Sequence, residues 1–231
     1  MKLEDLKNKC QIYNINLSDK QLEKFHQYAL LLKEYNEKIN LTAITEYEEV
    51  IEKHFYDSIL PFLKNGITGS LADVGAGAGF PSIPLKIVFE DLEVTIIEPL
   101  NKRCVFLNEL VKKLELSKVN IVNDRAEEYA KVHRESFDIV TARAVANLNM
   151  LAELCIPLVK LNGYFISLKG KSGNEEYENA KKAISILGCK LEKNEELNLN
   201  EQTRVNLYFK KVKNTASKYP RHFSKIKKQP L

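Results

Sequence analysis

Hydrophobic and polar positions change their period once along this chain. Within residues 1–62 apolar residues recur every three or four positions, as at Phe25, Ala29 and Leu32. This spacing lines one face of an α-helix. The segment is therefore predicted to form helices whose apolar stripe packs against other parts of the protein.

Two short patterns predict where helices begin in this segment. Ser18 is followed three positions later by Gln21, and Thr45 is followed in the same way by Glu48. In such a capping box each side chain accepts a hydrogen bond from the backbone N–H of the other residue, which satisfies donors that the first helical turn leaves free. Helices are therefore predicted to start just after Ser18 and just after Thr45.

From Gly69 onward, short apolar runs rich in β-branched residues alternate with amphipathic stretches. The runs are LADVG, EVTIIEP, VNIVND, FDIVTAR and GYFISLK. Alternating strands and helices form βαβ crossovers, which predicts an α/β fold with a mostly parallel sheet and helices on both faces. Two later runs, KLEKNEELNL and RVNLYFKKV, are predicted to add an antiparallel pair at the sheet edge.

Length and composition indicate one large domain with an appendage. The 231 residues are 44% hydrophobic and 29% charged, which suits a soluble protein with a sizeable core. We predict a helical N-terminal cap over residues 1–67, an α/β core over 68–212 and a basic tail over 213–231. The sequence lacks both a signal-peptide pattern and an apolar run long enough to cross a bilayer, so we expect a cytoplasmic protein without membrane contacts.

The C-terminal part of the chain is strongly basic, although the net charge of the whole is only +4. After Glu201 the sequence contains nine basic residues and no acidic one, among them Arg204, Lys218 and Arg221. This distribution indicates a polyanionic partner such as nucleic acid. A solvated, lysine-rich tail is the alternative interpretation.

A glycine-rich turn is predicted where the first strand passes into a helix. Gly75, Gly77 and Gly79 let the backbone adopt positive φ and approach a ligand, and ligands of α/β sheets bind at the carboxyl ends of the strands. Phe80 occupies the position of the third glycine in the dinucleotide pattern GxGxxG, which disfavours NAD. No GK[ST] string follows, so the P-loop pattern also fails.

Two acidic residues complete a candidate cofactor site. Glu98 ends the second predicted strand, where a carboxylate accepts hydrogen bonds from both ribose hydroxyls of a nucleoside. Asp73 precedes the glycine turn, and we expect it near the amino-acid end of the same ligand. The combination fits S-adenosylmethionine (SAM). A turn-forming role for Asp73 and a solvated strand end at Glu98 are the alternatives.

Residues after the third and fourth strands bear on the reaction. Ala126 and Glu127 follow the third strand, where the adenine edge of the cofactor is expected. The fourth strand ends at Arg143. Enzymes that methylate base amines place Asn or Asp followed by Pro-Pro-aromatic at this point, and those that methylate C5 need a cysteine nucleophile; the sequence TARAVAN has neither.

An arginine at this point favours guanine N7 as the target. This nitrogen has a lone pair and no proton to lose, so its methylation requires alignment and desolvation but no general base. Arg143 is a fixed cation with up to five donors. We expect it to contact O6, a phosphate or the cofactor, because a hydrogen bond to N7 would compete for the attacking lone pair. A surface or ion-paired Arg143 is the alternative.

The cysteines carry no metal-binding pattern. Cys10, Cys104, Cys155 and Cys189 stand far apart, without a CxxC pair or a nearby histidine. Cysteine packs as a small hydrophobic residue. We therefore expect four reduced thiols and no metal site.

Several strings in the sequence are found together in one known family. They are YNEKINLTAI (35–44), KHFYDSI (53–59), DVGAGAGFPSIPL (73–85), DRAEE (124–128), TARAVANL (141–148), LKG (168–170) and KYPR (218–221). With these strings the sequence closely resembles the bacterial RsmG family, also called GidB, over nearly its whole length. The resemblance implies a Rossmann-like class I SAM-dependent methyltransferase with a seven-stranded, mostly parallel sheet and a helical N-terminal extension.

The family resemblance also implies the substrate. Family members methylate N7 of guanine 527 in the 530 loop of 16S rRNA, with SAM as donor and S-adenosyl-L-homocysteine as product. The expected partner is therefore 16S rRNA, free or in a small ribosomal subunit or its assembly intermediate, and we expect the protein to be a monomer.

Roles of individual residues follow from the same resemblance. Contacts to SAM are implied for Gly75, Phe80, Ala126, Glu127 and Arg143, with Gly77, Gly79 and Glu98 around it. Catalytic roles are expected for Arg143, Lys169 and His54. RNA contacts are expected for Asn40, Arg125, Lys169, Arg204, Lys218 and Arg221.

Structural alternatives apply to three of these residues. Lys169 closes the fifth strand on the same rim as Arg143, where it can neutralise a phosphate; a surface lysine is the alternative. His54 lies on the apolar face of a predicted helix and is equally compatible with a buried core histidine. For Asn40, a position that caps or ends its helix is the simpler interpretation.

Three other functions compete with this prediction. An RNA-binding module that retains the fold but has lost SAM is disfavoured by the intact glycines and Glu98. A nucleotide-dependent oxidoreductase is disfavoured by Phe80. Methylation of a small molecule or a protein leaves the basic C-terminal segment without a purpose.

Overall fold

The computed structural model describes residues 1–143, 145–199 and 202–231. The α-helices are α1 (Leu3–Gln11), α2 (Asp19–Ile39), α3 (Tyr47–Val50), α4 (Asp57–Leu63), α5 (Ser82–Val88), α6 (Asn101–Lys113), α7 (Ala126–Val132), α8 (Leu148–Cys155), α9 (Gly173–Leu187) and α10 (Phe223–Lys228). A π-helical turn, Ile51–Tyr56, joins α3 to α4, and a 3₁₀ turn, Ile156–Leu158, follows α8.

The strands are β1 (Ser70–Val74), β2 (Glu93–Ile97), β3 (Val119–Val122), β4 (Phe137–Arg143), β5 (Val159–Lys169), β6 (Cys189–Leu199) and β7 (Gln202–Lys211). They form a seven-stranded sheet in the order β3-β2-β1-β4-β5-β7-β6. The pairs β2–β3, β1–β4 and β4–β5 are parallel, whereas β7 is antiparallel to both β5 and β6. The predicted α/β fold is confirmed.

The chain divides into two compact units. The first comprises Met1–Thr68 and Ala76–Asn123, and the second comprises Gly69–Gly75 and Asp124–Leu231. The boundaries predicted from the sequence, after residues 67 and 212, stay a prediction. Ala144, within the TARAVANL string, and residues 200 and 201 lie outside the described part of the chain.

In the first unit, the predicted helical stripe forms the core. Phe25, Ala29 and Leu32 of α2 are at most 4% exposed. Tyr28, one position from the strict stripe, is also fully buried, and its ring lies 4.9 Å from that of Phe55. Burying aromatic side chains contributes strongly to stability because each removes a large apolar area from water. The N-terminal helices thus share a core with the rest of this unit.

One predicted capping box is confirmed and the other is wrong. Ser18 N donates to Gln21 Oε1 at 2.8 Å, and Gln21 N donates to Ser18 Oγ at 3.2 Å. At the second position α3 begins at Tyr47 with Glu46 as its N-cap, and no side chain caps it. Thr45 therefore stands one residue too early to accept from the first helical turn.

The second unit includes a C-terminal segment that is folded rather than extended. Ile226 of α10 is fully buried. Arg134 donates to the carbonyl oxygens of Thr215 at 2.8 Å and Tyr219 at 2.5 Å. Lys211 is fully buried, and its Nζ donates to Ile156 O and Thr215 Oγ1. Much of this basic segment is thus packed against its own unit.

Arg221 anchors this segment through a buried ion pair with Glu153 of α8. Its Nε donates to Oε1 at 2.8 Å and its Nη2 to Oε2 at 2.6 Å, while its backbone N–H donates to Oε1 at 2.9 Å. Glu153 is fully buried, and the Arg221 side chain is 15% exposed. The hydrogen bond and charge of Glu153 raise the pKa of Arg221, so the guanidinium stays charged.

Among the described residues, no helix is both long and apolar enough to cross a membrane. The 21-residue α2, the longest of the helices named above, carries lysine and glutamate side chains along its exposed face.

Replacing Arg221 tests its structural role. We expect Arg221→Ala to lower the free energy of unfolding by about 3 kcal/mol, because it leaves the Glu153 carboxylate buried without its partner. The matched control Lys228→Ala removes the same charge from an exposed position of α10 and is expected to change stability by no more than about 0.5 kcal/mol. Urea unfolding measures both; equal effects would contradict the anchoring role.

Candidate active site

Glu98, just after β2, holds the glycine turn of the first unit through its carboxylate. Gly77 N donates to Oε2 at 3.1 Å and Leu100 N donates to Oε1 at 3.0 Å. Arg103 Nη1 lies 3.6 Å from Oε2, and Glu98 is 1% exposed. A carboxylate has about four acceptor positions, so each oxygen retains capacity for a further donor.

The backbone conformation of this turn requires glycine. Gly77 has φ +61° and Gly79 has φ +97°, in the left-handed region that other residues rarely adopt. A Cβ on Gly79 would lie 2.8 Å from both Ile83 Cγ1 and Tyr28 Oη, whereas the nearest atom to a Cβ on Gly77 would be Arg103 Nη1 at 3.9 Å. Gly79 is thus required by packing as well as by φ, and Gly77 by φ alone.

Aromatic side chains from the N-terminal helices support the same turn. Tyr28 of α2 donates from its hydroxyl to Ala78 O at 2.5 Å. The Phe80 ring lies nearly parallel to the rings of Tyr28 and His54, with centroids 5.5 Å and 4.4 Å away. Phe80 is 5% exposed, so most of its surface is covered by protein. Such stacks contribute about 0.5–1.5 kcal/mol beyond burial for each aromatic pair.

His54 lies beside the turn, within a buried environment. It is 9% exposed, and its Nε2 is 2.8 Å from Thr42 Oγ1. Ser58 Oγ donates to the His54 carbonyl at 2.5 Å. The structure therefore places the predicted catalytic histidine against Phe80, with the contacts of a core residue. A direct role in catalysis stays a prediction.

In the second unit, Asp73 lies near the end of β1, and Gly75 directly follows the strand. Asp73 is fully buried and pairs in register with Thr141 of β4. Gly75 has φ +72°, and a Cβ at this position would lie 2.9 Å from Val145 Cγ2. The segment after β4 thus packs directly on the start of the glycine turn.

The start of α7 carries three of the predicted site residues. Ala126 is the first helical residue, and Arg125 is the N-cap. Arg125 Nε donates to Glu127 Oε1 at 2.5 Å, and the guanidinium carbon lies 4.1 Å from the centre of the Phe223 ring. Glu127 is 3% exposed. The C-terminal segment therefore contacts Arg125, which in turn holds Glu127.

Arg143 and Lys169 end neighbouring parallel strands, as predicted. Arg143 pairs in register with Leu168, the residue before Lys169. Arg143 is half-buried. Lys169 is 8% exposed; its Nζ donates to Ala146 O at 2.6 Å and lies 2.7 Å from Glu176 Oε2. Lys169 is thus engaged within the protein, and the alternative of a surface lysine is wrong.

The remaining predicted RNA contacts occupy different settings. Asn40 is exposed and ends α2 in the left-handed conformation, at φ +49°, so the helix-ending role is confirmed. Arg204 in β7 is half-buried, and its Nη2 donates to Gln202 Oε1 at 2.9 Å. Lys218 is exposed, with its Nζ 5.3 Å from the Tyr219 ring centre. Arg221 is the buried anchor described above.

Sequence reasoning missed four residues that hold the site. Tyr28 and Arg103 contact the glycine turn and its acid, whereas Glu176 and Phe223 contact Lys169 and Arg125. Tyr28 adjoins the apolar stripe of α2, a signal that indicates burial but not its partner. Phe223 lies far along the chain from Arg125, whereas Arg103 and Glu176 lie on the helices that follow Glu98 and Lys169. In none of the three cases does a spacing pattern connect the partners.

The four thiols share a buried setting. All four cysteines are free and buried. Burial raises the pKa of Cys10 and Cys189 to about 12, and it raises the pKa of Cys104 and Cys155 as well. A nucleophilic cysteine needs an accessible thiolate. The described residues contain no group of three or more histidine, cysteine, aspartate or glutamate side chains arranged for a metal.

Comparison with solved structures identifies the fold. A SAM-dependent methyltransferase from Aquifex aeolicus matches 71% of this chain and 93% of its own, with a TM-score of 0.54 and 18% identity. A 16S rRNA (adenine(1408)-N(1))-methyltransferase from Catenulisporales acidiphilia matches 64% and 87%, with a TM-score of 0.53 and 13% identity. The chain thus has the Rossmann-like fold of SAM-dependent methyltransferases, as predicted.

Sequence comparison then identifies the family. Residues 21–206 match the model of the GidB family, rRNA small subunit methyltransferase G. The ribosomal RNA small subunit methyltransferase G of Lactobacillus helveticus is 51% identical over 95% of both chains, and that of Bacillus cytotoxicus is 50% identical over 100% of this chain and 99% of its own. The chain belongs to the GidB family, which confirms the predicted family and its enzyme class.

Two alanine substitutions separate the demands on the glycine turn. We expect Gly77→Ala to lower the free energy of unfolding by about 1–2 kcal/mol, the cost of a left-handed backbone for a residue with a Cβ. Gly79→Ala should cost clearly more, because its Cβ also meets Ile83 and Tyr28. Thermal and urea unfolding compare the two; a smaller loss for Gly79→Ala would show that the contact with Tyr28 does not constrain the turn.

Proposed function

We propose that this protein transfers a methyl group from SAM to N7 of a guanine in 16S rRNA, at guanine 527 of the 530 loop. The observation that carries the proposal is the Glu98 carboxylate, which holds the N–H of Gly77 at the carboxyl end of β2. Relatives that are about half identical over nearly the full length are named for methylation of small-subunit rRNA. We place the reaction in the cytoplasm, with the protein acting as a monomer.

The proposed cofactor contacts begin at Glu98. The two ribose hydroxyls would use the acceptor positions that Gly77 and Leu100 leave free on the carboxylate. Because Glu98 is 1% exposed and Arg103 lies beside it, these hydroxyls would take the place of the Arg103 contact. The exposed part of the Arg103 side chain, 32%, gives it room to turn aside. Asp73, Gly75, Ala126 and Glu127 stay proposed contacts to the same cofactor.

The proposed target atom follows from the chemistry at the end of β4. SAM supplies an electrophilic methyl group, and guanine N7 accepts it without a general base. Arg143 suits recognition of O6 or a phosphate through its donors. The raised pKa values of all four buried thiols disfavour a reaction through a cysteine nucleophile. What remains for the protein is to align the two reactants and exclude water.

The proposed RNA contacts fall on the exposed cations. Lys218, Lys225, Lys227 and Lys228 are all exposed on the C-terminal segment. Positive charge of this kind binds phosphates and contributes affinity that falls with salt. Arg221 supports these contacts indirectly, since its pairing with Glu153 holds the segment in place. Asn40, Arg125 and Arg204 stay proposed contacts.

Transfer to natural RNA tests the reaction. We expect the purified protein to transfer a labelled methyl group from SAM to small-subunit RNA from cells that lack the corresponding gene. Digestion to nucleosides and mass spectrometry should identify 7-methylguanosine at one site. The same RNA from cells that carry the gene is the control, because its site is already modified. A label on another atom, or in another RNA, would reject the proposed target.

Calorimetry tests the cofactor site separately from the RNA. We expect Glu98→Gln to weaken SAM binding about tenfold or more, since hydrogen bonds to a charged group contribute about 1.5–3 kcal/mol. Glu93→Gln, an exposed position of the same strand, is the matched control and should bind SAM like the wild type. Wild-type protein that fails to bind SAM at millimolar concentration would favour an RNA-binding module without methyl transfer.

A further inference from the structure

The segment 145–148, which leads into α8, is contacted at two backbone positions by one ion pair. Lys169, at the end of β5, donates from Nζ to Ala146 O at 2.6 Å. Glu176, in α9, accepts from the N–H of Leu148 at 2.9 Å through Oε2. The two side chains meet at 2.7 Å between Lys169 Nζ and the same Oε2. A single charge pair thus contacts two backbone groups that are two residues apart.

Glu176 performs the work of a helix cap for α8. The N-cap residue of α8, Asn147, makes no side-chain capping bond. The first N–H groups of a helix lack partners within the helix and favour negative charge nearby. The Glu176 carboxylate satisfies one of them, at Leu148, from a different helix. The start of α8 is therefore defined by a tertiary contact.

The ion pair between Lys169 and Glu176 is largely buried and stays charged. The side chains of Lys169 and Glu176 are 7% and 20% exposed. Burial of Glu176 raises its pKa, but the hydrogen bond and charge of Lys169, together with the hydrogen bonds from Ser172 and the Leu148 N–H, keep the pKa below its ordinary value. Ser172 Oγ donates to the other carboxylate oxygen at 3.0 Å. Glu176 therefore stays ionised and paired at neutral pH.

The segment that is held in this way touches the proposed cofactor site. Val145 packs closely on Gly75, since a Cβ added to Gly75 would lie only 2.9 Å from Val145 Cγ2. A shift of this segment would therefore disturb the start of the glycine turn. Arg143, at the end of β4, lies two positions before this segment in the sequence. Misplacement of reacting groups by about 1 Å can reduce a rate about 100-fold. The position of the segment therefore affects both proposed parts of the site.

We propose that Lys169 and Glu176 are positioning residues, a clamp that fixes residues 145–148 and thereby Arg143 and Gly75, and that Lys169 does not bind an RNA phosphate. The inference rests on the proposed function and deepens it. It assigns a role to Glu176, and it replaces the phosphate contact expected for Lys169 from the sequence. Two of the three donors of the Lys169 ammonium already contact a carboxylate and a carbonyl, and the side chain is only 7% exposed, so little of it is left for an RNA phosphate.

Three variants and one control test the clamp. Lys169→Met and Glu176→Gln each remove one charge with little change of shape, and the double variant removes both. Lys171→Met removes a cation from an exposed position two residues away. Circular dichroism and thermal unfolding establish a temperature at which every variant is folded. If Lys169→Met does not fold, the clamp is tested with Glu176→Gln alone.

The clamp and the phosphate contact predict opposite results. If the clamp is correct, we expect Lys169→Met and Glu176→Gln each to lower kcat about 10- to 100-fold. The fold-loss of kcat in the double variant should be smaller than the product of the two single fold-losses, because both changes break the same ion pair. KM for RNA and the salt slope of RNA binding should match the wild type. Lys171→Met should leave kcat unchanged. A lysine bound to phosphate would instead lower the slope of log K against log salt by about 0.7–0.9 in Lys169→Met alone.

A result of that second kind, or unchanged kcat in both single variants, would overturn the proposal. Amide hydrogen exchange gives a readout that does not depend on activity. Exchange at Val145, Ala146 and Leu148 should accelerate in Lys169→Met and in Glu176→Gln but not in Lys171→Met. If the wild type transfers no methyl group to 16S rRNA, the proposed function fails, whereas unchanged exchange in both variants would reject the clamp itself.

Discussion

The glycine-rich turn between β1 and α5 is the constraint on which the rest of the structure depends. Its glycines adopt positive φ, and the N–H of Gly77 points to the carboxylate of Glu98. A buried carboxylate is costly unless it is hydrogen-bonded or paired. Glu98 meets this condition through two backbone donors and the nearby Arg103. The acid proposed for the ribose is therefore also a structural part of the turn.

The N-terminal helices also help to hold the glycine-rich turn. A turn of glycines has high conformational entropy in the unfolded chain and needs contacts that hold it in the folded state. Tyr28 supplies one through its hydrogen bond to Ala78 O, and its ring and that of His54 stack on Phe80. The helices thus do more than cover an α/β core. They explain why Phe80 stands where a dinucleotide-binding turn has its third glycine.

Basic residues of the second unit have two roles, which differ in burial: buried cations pair within the protein, and exposed cations face the solvent. Lys169, Lys211 and Arg221 are buried or nearly so, and each contacts an acid and at least one carbonyl oxygen. The lysines of α10 are exposed and available to phosphates. Composition counts all of these cations equally, so it overstates the charge available to RNA. A buried cation is committed to its partners because desolvation has already been offset by them.

The sequence by itself determined the order of helices and strands, the glycine turn, the acid after β2 and the arginine at the end of β4, because periodicity and turn chemistry are local properties. It predicted the Ser18 box correctly but not the start of α3, where Thr45 stands one residue before the N-cap. Only the tertiary structure decided that Lys169 pairs with Glu176 and Arg221 with Glu153, since these partners lie on separate elements. The physical reason is that the work of a charge depends on its burial and its partner, which spacing along the chain does not specify.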